Sequence, residues 1–103
     1  MAQFGIHRYA GGAPTQVRHL VVLSHDFVDL GGTKIVAPCY RADEYPPPIS
    51  RLNIEVDIEG VPHIIVMQEL TGVGNRVLGP VTGSAIPLAD AIKRALDLLF
   101  DGF

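Results

Sequence analysis

Arg51-Leu52-Asn53-Ile54-Glu55-Val56-Asp57-Ile58-Glu59 sets an apolar side chain at every second position. Leu52, Ile54, Val56 and Ile58 alternate with Arg51, Asn53, Glu55, Asp57 and Glu59. Successive side chains of a strand point to opposite faces, so the stretch reads as a strand with one face in a core and the other in water or against a partner. Glu59-Gly60 supplies a tight turn, and Val61–Leu70 reads as the returning strand, with Pro62 near its start, where an edge tolerates it. Upstream, Arg41–Pro48 reads as a surface loop within one domain, because Pro46-Pro47-Pro48 removes three backbone donors in a row. Thr33–Cys39 and Val17–Leu23 read as strands, the latter buried on both faces. The Asp29-Leu30-Gly31-Gly32 turn between them favours a hairpin. Gln3–Tyr9 opens the chain as a short strand with Phe4 and Ile6 on one face, and Ala10–Pro14 breaks it.

Downstream, Thr71-Gly72-Val73-Gly74-Asn75 reads as a flexible loop, and Arg76–Val81 as a short strand interrupted by Gly79-Pro80. The pattern then changes period. Leu88, Ile92, Ala95, Leu96 and Leu99 recur at helical spacing, which predicts a helix over Pro87–Phe100. Pro87 suits its first position and Asp90 its first turn. Asp97, Asp101 and the carboxylate of Phe103 oppose the helix dipole at the other end. They are either solvated charges of no consequence or a tail facing a positively charged partner. The fold class expected is α+β: a mostly antiparallel sheet closed by one C-terminal helix, as a single domain over residues 1–103.

Composition narrows the function. With 103 residues, 48% apolar and 18% charged, the chain has ample material for a core and is too short for two independent ones. Modest stability is expected at this size, and oligomerisation is a natural supplement. Lone Cys39 permits no intrachain disulfide. Met1–Gly5 lacks the pattern of a secretory signal, and no apolar run approaches the roughly 20 residues that span a bilayer. The protein is read as cytoplasmic, with no membrane partner. Eight Lys and Arg against eleven Asp and Glu make independent DNA binding a poor fit, since phosphate neutralisation dominates that affinity. A basic protein partner fits better.

Catalytic and metal patterns are missing. His7, His19, His25 and His63 form no ligand-spaced pair with each other or with Cys39, so no metal site is expected. The glycines of Thr71–Asn75 lack the Lys-Ser/Thr of a phosphate loop. Ser24-His25-Asp26 spells a catalytic triad in a row, but nucleophile, base and orienter must converge in space, and a local turn explains it better. Asp43-Glu44 reads as a solvated loop pair.

Gln3-Phe4-x-Ile6-x-x-Tyr9, Val36-Ala37-Pro38, the Leu52–Gly60 arm and the tail Ala91-Ile92-Lys93-Arg94-Ala95-Leu96-Asp97-Leu98-Leu99-Phe100-Asp101-Gly102-Phe103 together resemble the CcdB family of gyrase-poisoning toxins. The resemblance runs through nearly the whole chain in order, and the terminal helix is its most specific part. It implies the SH3-like barrel shared by CcdB and MazF toxins, a homodimer, and no enzymatic activity or cofactor. It further implies binding to the A subunit of DNA gyrase, which is trapped on cleaved DNA. A cognate antitoxin would release gyrase and, with the toxin, repress the operon, so operator DNA would be met only through the antitoxin complex.

Carried onto this sequence, the gyrase-contacting residues would be Asp101, Gly102 and Phe103. The antitoxin would touch the Ala10–Pro14 and Arg41–Pro47 loops, through Gly11, Gly12, Arg41, Asp43 and Glu44. The family tail departs at one point: a Trp that stacks on a gyrase Arg near the dimer axis is here Asp101. Losing that cation–π contact, worth about 0.5–2 kcal/mol, predicts weaker, altered or lost gyrase poisoning with fold and antitoxin binding retained. A non-toxic relative that titrates antitoxin is one alternative. A MazF-like endoribonuclease, with Arg18-His19 and Arg76 as its candidates, is the other.

Overall fold

His19–Val22 is buried along its whole length, and the rest of the chain is arranged to cover it from both sides. The computed structural model describes residues 2–12, 15–28, 31–46 and 51–103. In chain order the strands are β1 (Gly5–Tyr9), β2 (His19–Val22), β3 (Thr33–Arg41), β4 (Asn53–Ile58), β5 (Val61–Val66), β6 (Thr71–Gly74) and β7 (Leu78–Ser84), followed by the helix α1 (Ala89–Asp101). All pairings are antiparallel, in the order β4-β5-β3-β2-β1-β7, with β6 also paired to β3. The sheet curls into a half-barrel closed by the C-terminal helix, as the expected α+β class requires.

Alternation along β2 and β3 produces two cores. Val21, Leu23, Ala37 and Cys39 point to the helix side, where they join Ile6, Ile54, Ile58, Ile65 and Met67. Ile92 and Ala95 of α1, both fully buried, close this core. Leu20, Val22 and Val36 point the other way and pack with Leu78, flanked by Tyr9, Val17, Val73 and Val77. That second cluster needs β6 and the turn after it as a cover. Thr71–Gly74, read from its glycines as a flexible loop, is therefore a strand: its backbone pairs with Thr33–Val36 of β3 and Val73 packs inward.

Pro38 shows how β3 accommodates a proline in a central strand. Along one edge β3 pairs with β6 through Val36 and with β5 from Cys39 onward. Pro38 stands in the gap, where no partner asks for its missing N–H. The strand consequently runs on to Arg41 instead of ending at Cys39.

β4 and β5 form the expected hairpin, with Ile58 opposite Val61. Its two turn residues, Glu59 and Gly60, both have positive φ (54° and 81°), the geometry that matches strand twist in a two-residue turn. The alternation holds at Ile54, Ile58, Glu55 and Asp57, but Asn53 is buried as well. Its side-chain amide donates to Gln68 Oε1 at 2.9 Å, which satisfies a polar group in that position. β5 stops at Val66, and Met67–Glu69 turns as a short 3-10 helix where the sequence suggested continuing strand.

Arg76 falls in a 3-10 turn (Asn75–Val77), and β7 starts at Leu78 and runs to Ser84, three residues beyond the predicted end. Gly79 lies so close to β1 that a Cβ would sit 2.8 Å from the Arg8 carbonyl oxygen, which accounts for a glycine inside the strand. Pro87 occupies a 3-10 turn (Ile86–Leu88) that leads into α1. The helix ends with Gly102 at φ 83°, whose N–H donates to the Leu98 carbonyl at 3.1 Å. This left-handed cap is one that glycine makes without steric cost. Among the described residues no helix is long and apolar enough to cross a membrane.

Candidate functional site

The chain presents two surfaces to test against the sequence reading: the end of α1, and the end of the sheet where β1, β2 and β3 leave their ladder. At the first, Ile92 and Ala95 pin the helix while its last turn projects outward. Phe100 is 72% and Phe103 88% exposed, with Asp101 and Gly102 exposed between them. No basic residue lies in the last turn. Phe103 borders a small recess with Arg51, Arg94, Asp97 and Leu98. Leu23, Ser24, Ile35, Leu70, Leu96 and Phe100 line an apolar hollow of about 380 Å³ beside the helix.

The sheet end is charged. β1 pairs Arg8 with His19, and β2 pairs His19 with Cys39, so β1 ends at Tyr9 and β3 ends at Arg41 on either side of the chain that enters β2 through Arg18. Arg18 approaches Glu44 at 3.4 Å, and Arg41 holds Asp43 at 2.9 Å and Glu44 at 3.6 Å. These pairs are largely solvated, and each contributes about 0–1 kcal/mol. Gly11 lies against Tyr9: a methyl group at that position would overlap the phenol ring. Gly12 faces open space. Ala13, Pro14, Asp29, Leu30, Pro47 and Pro48, which belong to the predicted loops and turn, lie outside the described residues.

Sequence reasoning missed a group beside this end. The rings of Tyr40 and Tyr45 lie 4.9 Å apart, and the Tyr40 hydroxyl donates to Glu69 Oε1 at 2.5 Å. Burial and the bond to Glu69 push the Tyr40 phenol up to about 12, and burial and the Glu69 charge raise Tyr45. Tyr40 and Glu69 are 29 residues apart, so no local motif announces them.

Three histidines are buried, each with Nδ1 in a hydrogen bond. His7 and His63 donate to the carbonyls of Gly79 (2.9 Å) and Val61 (2.8 Å). His19 donates to Thr82 Oγ1 at 3.0 Å, and that hydroxyl in turn donates to the Ile6 carbonyl at 3.4 Å. His19 and His63 meet edge to face at 5.0 Å. Burial first, then the neighbouring His63, lowers the pKa of His19. His7 Nε2 is buried and has no hydrogen-bond partner among the described residues.

The row Ser24-His25-Asp26 makes no relay. Ser24 Oγ accepts the Ile35 N–H, His25 Nδ1 accepts the Phe27 N–H, and Asp26 Oδ1 accepts the Gln3 N–H, three separate local tasks. Cys39 is free and buried, with its thiol pKa raised by burial, which leaves it a packing residue. Among the described residues no group of three or more potential ligands could hold a metal ion.

Comparison with curated proteins returns no match. The family model described as "CcdB protein" matches residues 3–102, which spans both cores, the charged sheet end and the helix with its cap. The chain therefore belongs to the CcdB family, the toxins of toxin–antitoxin modules.

Proposed function

We propose that the chain is a homodimeric toxin that binds the A subunit of DNA gyrase through Asp101, Gly102 and Phe103 and traps the enzyme on cleaved DNA. A cognate antitoxin opposes it by docking at the Gly11, Gly12, Arg41, Asp43 and Glu44 end. The observation that carries the reading is the tail itself: Phe103 stands almost fully in water just beyond a helix whose inner face is packed against the core. An exposed large apolar group on a rigid support is what a partner-binding surface offers. The hollow containing Leu23, Leu96 and Phe100 supports the homodimer, since a second copy would cover it.

Asp101 tempers the strength of the interaction. The family's Trp would stack on a gyrase Arg; a carboxylate offers that Arg a solvated ion pair instead, which contributes little. The non-toxic, antitoxin-titrating relative is favoured by this same residue. The endoribonuclease reading has less support, because Arg18 is paired to Glu44, His19 is buried, and Arg76 makes no hydrogen bond or ion pair with either among the described residues. A cleavage assay with purified protein, gyrase and supercoiled plasmid decides. Protein-linked linear DNA from the natural chain establishes a gyrase poison. Linear DNA from Asp101→Trp alone establishes a toxin scaffold whose tail has lost or changed its target. None from either contradicts the proposed target.

A further inference from the structure

Beside the adjoining rings of Tyr40 and Tyr45, tilted 33° to one another, opens a recess of about 280 Å³, lined by Tyr9, Val17, Leu20, Pro38, Tyr40 and Glu69 among others. Its floor is apolar and its rim carries two phenols and one carboxylate. The arginines nearby are engaged elsewhere: Arg18 with Glu44, and Arg41 with Asp43 and Glu44. Among the described residues no ion pair reaches Glu69, which accepts a hydrogen bond from the neutral Tyr40 phenol. A phenol is neutral at pH 7, so the Glu69 carboxylate is the one charged group that lines the recess. A carboxylate held by the hydroxyl of a phenol at the rim, above an apolar floor, matches a cation carried on an aliphatic stem.

We propose that this recess is the docking site for an arginine side chain of a protein partner. The methylene stem lies on Val17, Leu20 and Pro38, and the guanidinium reaches Glu69 and stacks against Tyr40. Arginine fits better than lysine because its planar fork can pair with a carboxylate and stack on a ring at once. An acidic side chain is repelled by Glu69. Gly11 belongs to the same device, since only a residue without Cβ leaves Tyr9 in its place at the rim. The inference deepens the toxin reading, on which the arginine belongs to the antitoxin that meets the adjoining Arg41–Glu44 segment.

The test uses the full chain and a free peptide, acetyl-Gly-Arg-Gly-amide, against the same peptide with citrulline, a neutral isostere of arginine. Binding is followed by NMR shifts of backbone amides and tyrosine rings. The expected result is a response centred on Tyr9, Tyr40, Tyr45 and Glu69, with the citrulline peptide weaker by about fivefold or more. Glu69→Gln should abolish the difference and Glu69→Asp should keep it, with thermal midpoints confirming that both variants fold. Equal affinity for the two peptides, a response elsewhere, or indifference to Glu69→Gln would overturn the proposal. The outcome does not depend on any antitoxin. An arginine response without antitoxin binding removes the antitoxin and keeps the site, whereas antitoxin binding without an arginine response does the reverse.

Discussion

The helix tail and the charged sheet end differ in what they leave unfinished. At the tail, α1 is anchored by Ile92 and Ala95 and capped by Gly102, so its fold is complete while Phe100 and Phe103 remain in water. At the sheet end, Arg18, Arg41, Asp43 and Glu44 already satisfy one another. A partner at the tail therefore gains by covering apolar surface, whereas a partner at the sheet end must exchange existing ion pairs for its own. The tail should tolerate changes without loss of stability until its anchor is cut; the sheet end should be indifferent in stability and sensitive in specificity.

Cutting the anchor should have the largest effect. Ile92→Ala, at a fully buried position, is expected to cost about 2–5 kcal/mol, read from the midpoint of urea unfolding, and to disable the tail with it. An effect below about 1 kcal/mol would mean the helix is not the tail's rigid support.

Next comes the turn between β4 and β5. Glu59 is a non-glycine residue at φ 54°, a region that Asn occupies more readily. Glu59→Asn should stabilise by about 0.5–1 kcal/mol and raise the thermal midpoint by roughly 2–8 °C. A lower midpoint would show that the Glu59 carboxylate matters more than its backbone.

A pH effect should follow at the sheet end. His19 is lowered from 6.5 by burial and by His63, so below that pH the unfolded chain takes up the proton more readily than the native one. Stability contributed by neutral His19 is present above about pH 6.5 and lost as pH falls through the native value. Urea unfolding between pH 7.5 and 5 should show the loss, and His19→Asn should flatten it. The same slope in both proteins would assign it to other groups. The smallest effect is expected from Glu44→Gln, which removes the carboxylate shared by Arg18 and Arg41 and should change stability by less than about 0.5 kcal/mol. A larger loss would mean the charged end is a structural part of the fold.

The elements that sequence made legible are those with a strong period. Ile54 and Ile58 against Glu55 and Asp57 mark β4, and Leu88 to Leu99 mark the helix. β6 is hidden because Thr71-Gly72-Val73-Gly74 offers one apolar side chain, and its place is set by backbone pairing to residues 35 to 41 positions earlier in the chain. The end of β3 is not legible in the sequence, because Pro38 looks like a terminator and the change of partner strand beside it is set by residues far along the chain. The tail could be read as a candidate because its residues are contiguous. The Tyr40, Tyr45 and Glu69 group could not, since Glu69 arrives from the turn after β5.

On the proposed function, Asp101, Gly102 and Phe103, held out by a packed helix, form the surface that meets gyrase. The most direct test is calorimetric titration of the gyrase A subunit with the natural chain, Asp101→Trp and Phe103→Ala, each checked for an unchanged thermal midpoint. Asp101→Trp should bind about two- to thirtyfold more tightly than the natural chain, and Phe103→Ala more weakly. Tight binding that is the same for all three proteins would contradict the account.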